Sequence, residues 1–315
     1  MAAFGGWSYS LIVRGGLHWT GLERPGMWGN LITDFVFWVG IAHSGTLISA
    51  ILFLFRSKFR TAVYRVAEMM TVFAVMAAAF ATPLVVSVHS VVSWDFAVAL
   101  TPGWHSTLFP PYFVAGAILS GVAMVITILV PLRRACRLEA LITQRHLDML
   151  ARLVILTGLI VTYSHATEIV LALQAPPSDP ERSTFVYRMT GAYAPVFWTM
   201  VTGNCGGPLL LLLPRVRRTT WSLIAISLAI NVGMWLERFN IVVTSLSHDR
   251  LPFDWRVHVP TWVEWAITFG AFGWFFFLFL IGLKSLPPVS IAELKEEVAH
   301  DAAHRAEGGE APHAG

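Results

Sequence analysis

The chain reads as an all-α polytopic membrane protein built as a transmembrane helical bundle. Three observations carry this. Of its 315 residues, 56% are hydrophobic and only 13% are charged, with a mean hydropathy of +0.63; a soluble domain carries about 25% charged residues. The apolar residues gather in runs of about the 20 needed to cross hydrocarbon. The basic residues gather in short segments between those runs, as topology signals do. That clustering also argues against a nucleic-acid partner, despite a net charge of +3 and a pI near 9.1. Thirteen Trp and 21 Phe fit lipid-facing surface and interfacial belts.

The elements follow in order. Residues 1–30, rich in Gly and Trp, read as an external amino-terminal segment without a cleavable signal pattern. Residues 31–285 read as a bundle with spans near 31–55, 66–93, 112–132, 148–173, 193–214, 219–245 and 261–284. The Pro-punctuated stretch QAPPSDPERST reads as an external loop. Residues 286–315 turn polar and read as a cytoplasmic tail, with disorder expected at its end. Arg56, Lys58, Arg60 and Arg65 follow the first span, Arg133, Arg134, Arg137 and Arg145 the third, and Arg215, Arg217 and Arg218 the fifth; Lys284 ends the seventh. The alternate segments are poorer in Lys and Arg, so the positive-inside rule puts the amino end outside and the carboxyl end in the cytoplasm.

Ionisable residues inside membrane spans are functional candidates by default, because each is unfavourable there unless paired or facing a cavity. In the stretch VVSVHSVVSWDF, His89 and Asp95 sit among apolar residues, flanked by the small side chains of Ser87, Ser90 and Ser93. An imidazole can take a proton from a hydroxyl and a carboxylate can accept it onward; the alternative is a structural tether at a helix end. His165 and Glu168, three apart, share one helical face. Glu237 and Arg238 lie in the outer half of the sixth span and read also as an internal ion pair. Glu264 opens the seventh span and reads also as a solvated helix-start carboxylate. Asp254 lies in the loop before it, Glu68 on the inner side and His43 near mid-membrane. His105 reads also as an ordinary loop residue. Apart from Glu68 and His43, these groups, from at least four spans, gather in the outer third of the membrane, which suits a reaction releasing protons outward. The Gly-rich patches GIAHSGT and GNCGGP read mainly as close helix packing. Two cysteines, Cys136 and Cys205, are too few for an iron–sulfur cluster, which takes about four thiolates.

Long stretches, among them FVFWVGIAHSGTLISAILFLFRSKFRTAVYRVAEMMTVFAVM, ATPLVVSVHSVVSWDFAVALTPGWHSTLFPPYF, LITQRHLDML and NVGMWLERFNIVVTSLSHDRLP, resemble the NrfD/PsrC family of membrane anchors. Within it they are similar to the quinol-oxidising subunit of alternative complex III. The resemblance covers most of residues 30–290. It implies a fold of helical bundles in a bacterial inner membrane, with menaquinol bound and oxidised near the outer face. Electrons would pass to an iron–sulfur subunit docked on that face and on to multihaem cytochrome c subunits, then to a terminal oxidase or soluble acceptor. It implies a homologous membrane subunit as a further partner, proton release or conduction through the bundle, and no haem, metal or iron–sulfur cluster in this chain. His89 and Asp95 would be the quinol bases, with Val86, Ser90, Trp94 and His43 around the ring. Glu68, His165, Glu168, Glu237, Arg238, Glu264 and Asp254 would form the proton path. The chain departs from the family near residues 77–81, where MTVFAVMAA runs directly into AFATPLVVSVHS without the intervening spans. Three other readings compete: a homologous non-catalytic, proton-conducting subunit; a haem-b anchor using His43, His89 and His165; and a secondary transporter, which the outward rather than midplane placement of the polar groups disfavours.

Overall fold

In the computed structural model, the described residues are 1–20, 29–54, 89–139 apart from 105 and 107, 142–248 and 255–285. They form helices α1 (Ala2–Gly15), α2 (Asn30–Leu54), α3 (residues 89–97), α4 (Phe109–Ala135), α5 (Gln144–Gln174) and α6 (Pro180–Thr190). There follow α7 (Ala194–Val201), a π-helical turn π1 (Thr202–Gly206), α8 (Gly207–Leu210) and α9 (Pro214–Arg218). Last come α10 (Thr220–Phe239), a second π-helical turn π2 (Asn240–Thr244), α11 (Ser245–Ser247) and α12 (Trp262–Ser285). Among the described residues, four helical stretches are long and apolar enough to cross a membrane: α4, α5, the continuous run Thr220–Ser247, and α12.

Helix α4 is the centre of the bundle, packed against α2, α5 and α10. Its sequence, FPPYFVAGAILSGVAMVITILVPLRRA, explains that position. Lipid is as apolar as leucine, so helix association in a membrane depends on close backbone approach, which small residues permit. Ala115, Gly116, Ala117, Ser120, Gly121 and Ala123 supply it, and all are buried. α5 closes on α8 in the same way, with Gly158 directly over Pro208.

Several expectations need correction. Residues 2–15 do not stand apart from the bundle: α1 lies antiparallel along α12, so close at Gly5 and Gly270 that no Cβ would fit at either. The span placed at 193–214 stops being one helix at Leu211, and Pro214 starts a separate short helix. The stretch QAPPSDPERST is only partly loop: Asp179 accepts from the Glu181 N–H at 2.9 Å and so caps α6, whose second position is that glutamate. Of the span at 66–93, only residues 89–93 lie among the described residues. The departure near 77–81, Glu68, Val86 and Asp254, the tail after Ser285 and the side chain of His43 lie outside them.

α4 and α5 run in opposite directions, as do α7–α8 and α10. The basic turns therefore collect at one end. There Arg217 pairs with Asp148 at 2.6 Å, Gln144 Nε2 donates to the Arg218 carbonyl at 2.9 Å, and Arg134 lies 5.0 Å over the Trp221 ring. The starts of α4 and α12 and the ends of α3, α5 and α11 share the opposite end.

Candidate functional site

The first part of the site is a buried polar chain spanning four helices. α5 presents His165 and Glu168 from successive turns, with His165 Nδ1 at 3.7 Å from Glu168 Oε2. On its other side His165 Nε2 lies 3.5 Å from Glu237 Oε2 and 3.3 Å from the Tyr112 hydroxyl of α4. Glu237 Oε1 accepts from Arg238 at 2.5 Å, and Oε2 accepts from Asn204 Nδ2 at 2.7 Å. The Arg238 guanidinium lies 4.7 Å over the Phe113 ring, a cation–π contact. Glu237 is 1% exposed, so its carboxylate depends on these donors rather than on water.

Asn204 reaches Glu237 because π1 carries it there. Gly203 presses on the Ala229 carbonyl, and Gly233 on α10 leaves room for the Asn204 side chain, whose Oδ1 any Cβ at 233 would overlap. The GNCGGP patch is thus close packing, as expected, with a polar group delivered by it. π-turns inside helices recur at functional sites. π2, on the facing helix, places Asn240 with Nδ2 3.9 Å from Met200 Sδ and Oδ1 accepting from Thr244 Oγ1 at 2.8 Å.

The second part is a cavity of about 570 Å³ at the end of the bundle opposite the basic turns. Its wall includes Trp94, Gly103, Glu168, Leu171, Phe185 and Arg188. Glu168 belongs to both parts: it faces the cavity and stands at the head of the polar chain. α6 holds the loop beneath α3 through Gly103, whose N–H donates to Glu181 Oε2 at 2.6 Å while its carbonyl accepts from Arg188 Nη2 at 3.2 Å. Gly103 has φ +80°, and a Cβ there would meet the Arg188 guanidinium, so glycine is required twice over. Burial pushes the Arg188 guanidinium down from its usual value, opposed by the nearby carboxylates of Glu168 and Glu181.

A third cluster lies between α2 and α12. Glu264 is fully buried rather than solvated: Oε1 accepts from the Asn30 N–H at 3.1 Å and Oε2 from the Thr261 N–H at 3.1 Å, with His258 Nε2 at 3.2 Å. It closes its own helix start by reaching back to the capping residue's N–H. One turn below, Asp34 accepts from Trp235 Nε1 at 2.8 Å and from Thr268 Oγ1 at 2.7 Å.

Of the sequence candidates, His165, Glu168, Glu237 and Arg238 are brought into one chain, and Trp94 joins the cavity that Glu168 faces. His89 and Asp95 are not brought together. Six residues along one helix separate two side chains by about 9 Å and place them on different sides. Asp95 is exposed, whereas His89 is buried beside a cavity of about 20 Å³ that it shares with Gly40, Phe113 and Arg238. Ser90 is half-buried and its carbonyl accepts from Ser93 Oγ. Tyr112, Asn204 and Arg188 escaped sequence reading: each is an ordinary residue whose role depends on a different helix.

Comparison with known proteins agrees with this architecture. Residues 57–248 match the family model described as polysulphide reductase, NrfD. A Halobacterium salinarum protein, provisionally named as a membrane subunit of dimethyl sulfoxide reductase, is 28% identical over 256 residues, covering 73% of this chain and 55% of the relative. The chain thus spans about half the length of that curated relative. A family match over more than half of the chain, on a bundle whose described residues include four membrane-length apolar helices, makes this chain a multi-pass membrane member of the polysulphide reductase, NrfD, family.

Proposed function

We propose that this subunit binds a quinol in the cavity beside Trp94 and Glu168 and serves as the quinone-linked membrane part of a redox complex. The observation that carries the reading is the shared position of Glu168. It lines a cavity within the range that holds small molecules, about 300–1,000 Å³, and it heads the buried chain to His165 and Glu237. A quinol gives up two electrons and two protons. Here the protons pass to Glu168 and the electrons to an iron–sulfur cluster of a partner docked at the same end. His165 suits the second position in the relay, since it faces Glu168 through one ring nitrogen and Glu237 through the other. Arg238 cannot give up its proton, so it supplies fixed charge rather than a step in the relay.

The relative's name, a membrane subunit of a reductase, supports quinol as the electron source. The further reading is menaquinol oxidation of the alternative complex III kind, in a bacterial inner membrane with the cavity end outside. There a multihaem cytochrome c and a homologous membrane subunit would complete the assembly. His89 and Asp95 remain in this proposal as the rival site for the ring. Removing a general base lowers turnover by about 10²–10⁴-fold. In assembled complex, Glu168→Gln is therefore expected to lower menaquinol oxidation at least about tenfold, with His89→Gln and Asp95→Asn changing it less. If the latter two abolish turnover and Glu168→Gln does not, the quinol lies along α3 and outside this cavity.

A further inference from the structure

Arg188 is 5% exposed, and every protein hydrogen bond it makes comes from Nη2: one to the Gly103 carbonyl at 3.2 Å and one to Ser245 Oγ. Its Nε is buried without a hydrogen-bond partner. Among the described residues no carboxylate lies within ion-pair distance of it. A buried guanidinium left this way is strongly unfavourable, because its lost hydration is not replaced. The side chain nevertheless forms part of the cavity wall, with Phe185 on the same helix 5.8 Å beneath its charge. The missing acceptor therefore belongs to whatever fills the cavity.

Two chemistries would supply an oxygen acceptor at this depth: a lipid phosphate and a quinone carbonyl. The wall decides between them. Besides Arg188 it carries Glu168, Glu181 and Asp179, so a phosphate would meet one cation and three carboxylates. A neutral carbonyl accepts from the guanidinium without that repulsion. The rest of the wall, with Trp94 and Phe185 as aromatic surfaces and Val98, Leu171 and Ala172 as apolar ones, suits a flat ring and the start of an isoprenoid tail.

We infer that Arg188 is the quinone-binding residue that donates to a ring oxygen, opposite the carboxylate of Glu168. This rests on the cavity being the quinone site, and the test separates the two claims. The whole complex in detergent is labelled by light with an azido-naphthoquinone whose azide is on the ring. Labelled peptides are mapped by mass spectrometry, and unlabelled 2-methyl-1,4-naphthoquinone or phosphatidylglycerol is added as competitor. The wild type is expected to carry label in the peptide 183–188 and near Trp94, displaced by the naphthoquinone and not by the lipid. Loss of a charge-assisted hydrogen bond lowers affinity by about tenfold or more, so Arg188→Lys, which keeps the charge and loses the planar fork, is expected to raise the naphthoquinone concentration needed for half-displacement by about that factor. Absence of label from the cavity in the wild type overturns the quinone site itself. Label near Trp94 but none in 183–188, or unchanged displacement in assembled Arg188→Lys, overturns the role of Arg188 alone. Displacement by phosphatidylglycerol overturns the choice of a carbonyl over a phosphate. The peptide map needs only wild-type protein, so the inference stands or falls even if Arg188→Lys does not assemble.

Discussion

Glu237 has a different donor on each oxygen, from two different helices, and the weaker-looking of the two is the more informative. Arg238 is its neighbour on the same helix, although adjacent side chains on a helix do not ordinarily face each other, whereas Asn204 is brought in by π1 from another helix. Asn204→Ala takes the amide donor from Oε2, which keeps His165 at 3.5 Å. A buried acceptor deprived of a donor costs about 1–3 kcal/mol, expected as a lower thermal unfolding temperature in detergent. Asn204→Asp should be worse, since it sets two carboxylates together in a low-dielectric site. If neither variant shifts unfolding relative to wild type, the hydrogen bond does not hold the carboxylate.

At the scale of elements, α6 is the piece most dependent on side chains outside the apolar core. It is short, and besides the Phe185–Phe197 contact it is held by Arg188, by Glu181 and by Thr184, whose Oγ1 donates to the His248 carbonyl at 3.2 Å. His248 is stacked between Tyr187 of α6, at 4.5 Å, and Trp255, at 3.7 Å. Burial holds its imidazole below the usual value of 6.5, favouring the neutral ring in the fold. Below pH of about 6.5 the unfolded chain takes up the proton and the folded one does not, so stability falls as pH drops from there to the lower folded value. The docking of α6 is therefore expected to loosen between neutral pH and the acid side of that window. Amide exchange across 180–190, corrected for its intrinsic pH dependence, reads this directly. His248→Gln should remove the pH dependence, and a wild type whose protection is flat from pH 7.5 to 5 would contradict the assignment.

For the molecule as a whole, orientation follows from the charge at its two ends. Arg133, Arg134, Arg137, Arg145, Arg215, Arg217 and Arg218 meet at one end through the alternation of the helices, and the cavity lies at the other. From the positive-inside rule we propose that the cavity end faces outside. Cys136 is exposed at the basic end and Cys205 is buried, so the native chain carries its own reporter. A membrane-impermeant maleimide is expected to label Cys136 in inverted vesicles and not in intact cells; the reverse pattern would turn the molecule over. Trp104 and Phe109 are buried inside this chain, with Trp104 Nε1 donating to the Ile241 carbonyl at 2.6 Å. Trp94, Trp255 and Trp262 are among the described aromatic residues exposed at the cavity end.

The membrane helices were legible because an apolar run of membrane length rarely arises in any other setting, and α2, α4, α5, α10 and α12 begin and end close to where the apolar runs do. The pairing of His165 with Glu168 was legible for the same local reason, a three-residue helical spacing. The same arithmetic, applied to the six residues between His89 and Asp95, separates them, and a shared motif is no substitute for that geometry. Nothing local marks Tyr112, Asn204 or Arg188, because hydrogen-bond partners from different helices are chosen by packing. α1 was hidden because its Gly-rich composition weakens a helical reading, while one of those glycines, Gly5, is what lets it lie against α12 at Gly270. Chain composition and spacing thus decide how many helices can cross, which way they point and which faces carry charge, since these depend on transfer from water and on local period. Which charged faces meet, and what cavity they leave between them, depends on close contacts such as Gly158 on Pro208 and Gly203 on Ala229, so only the assembled bundle decides it.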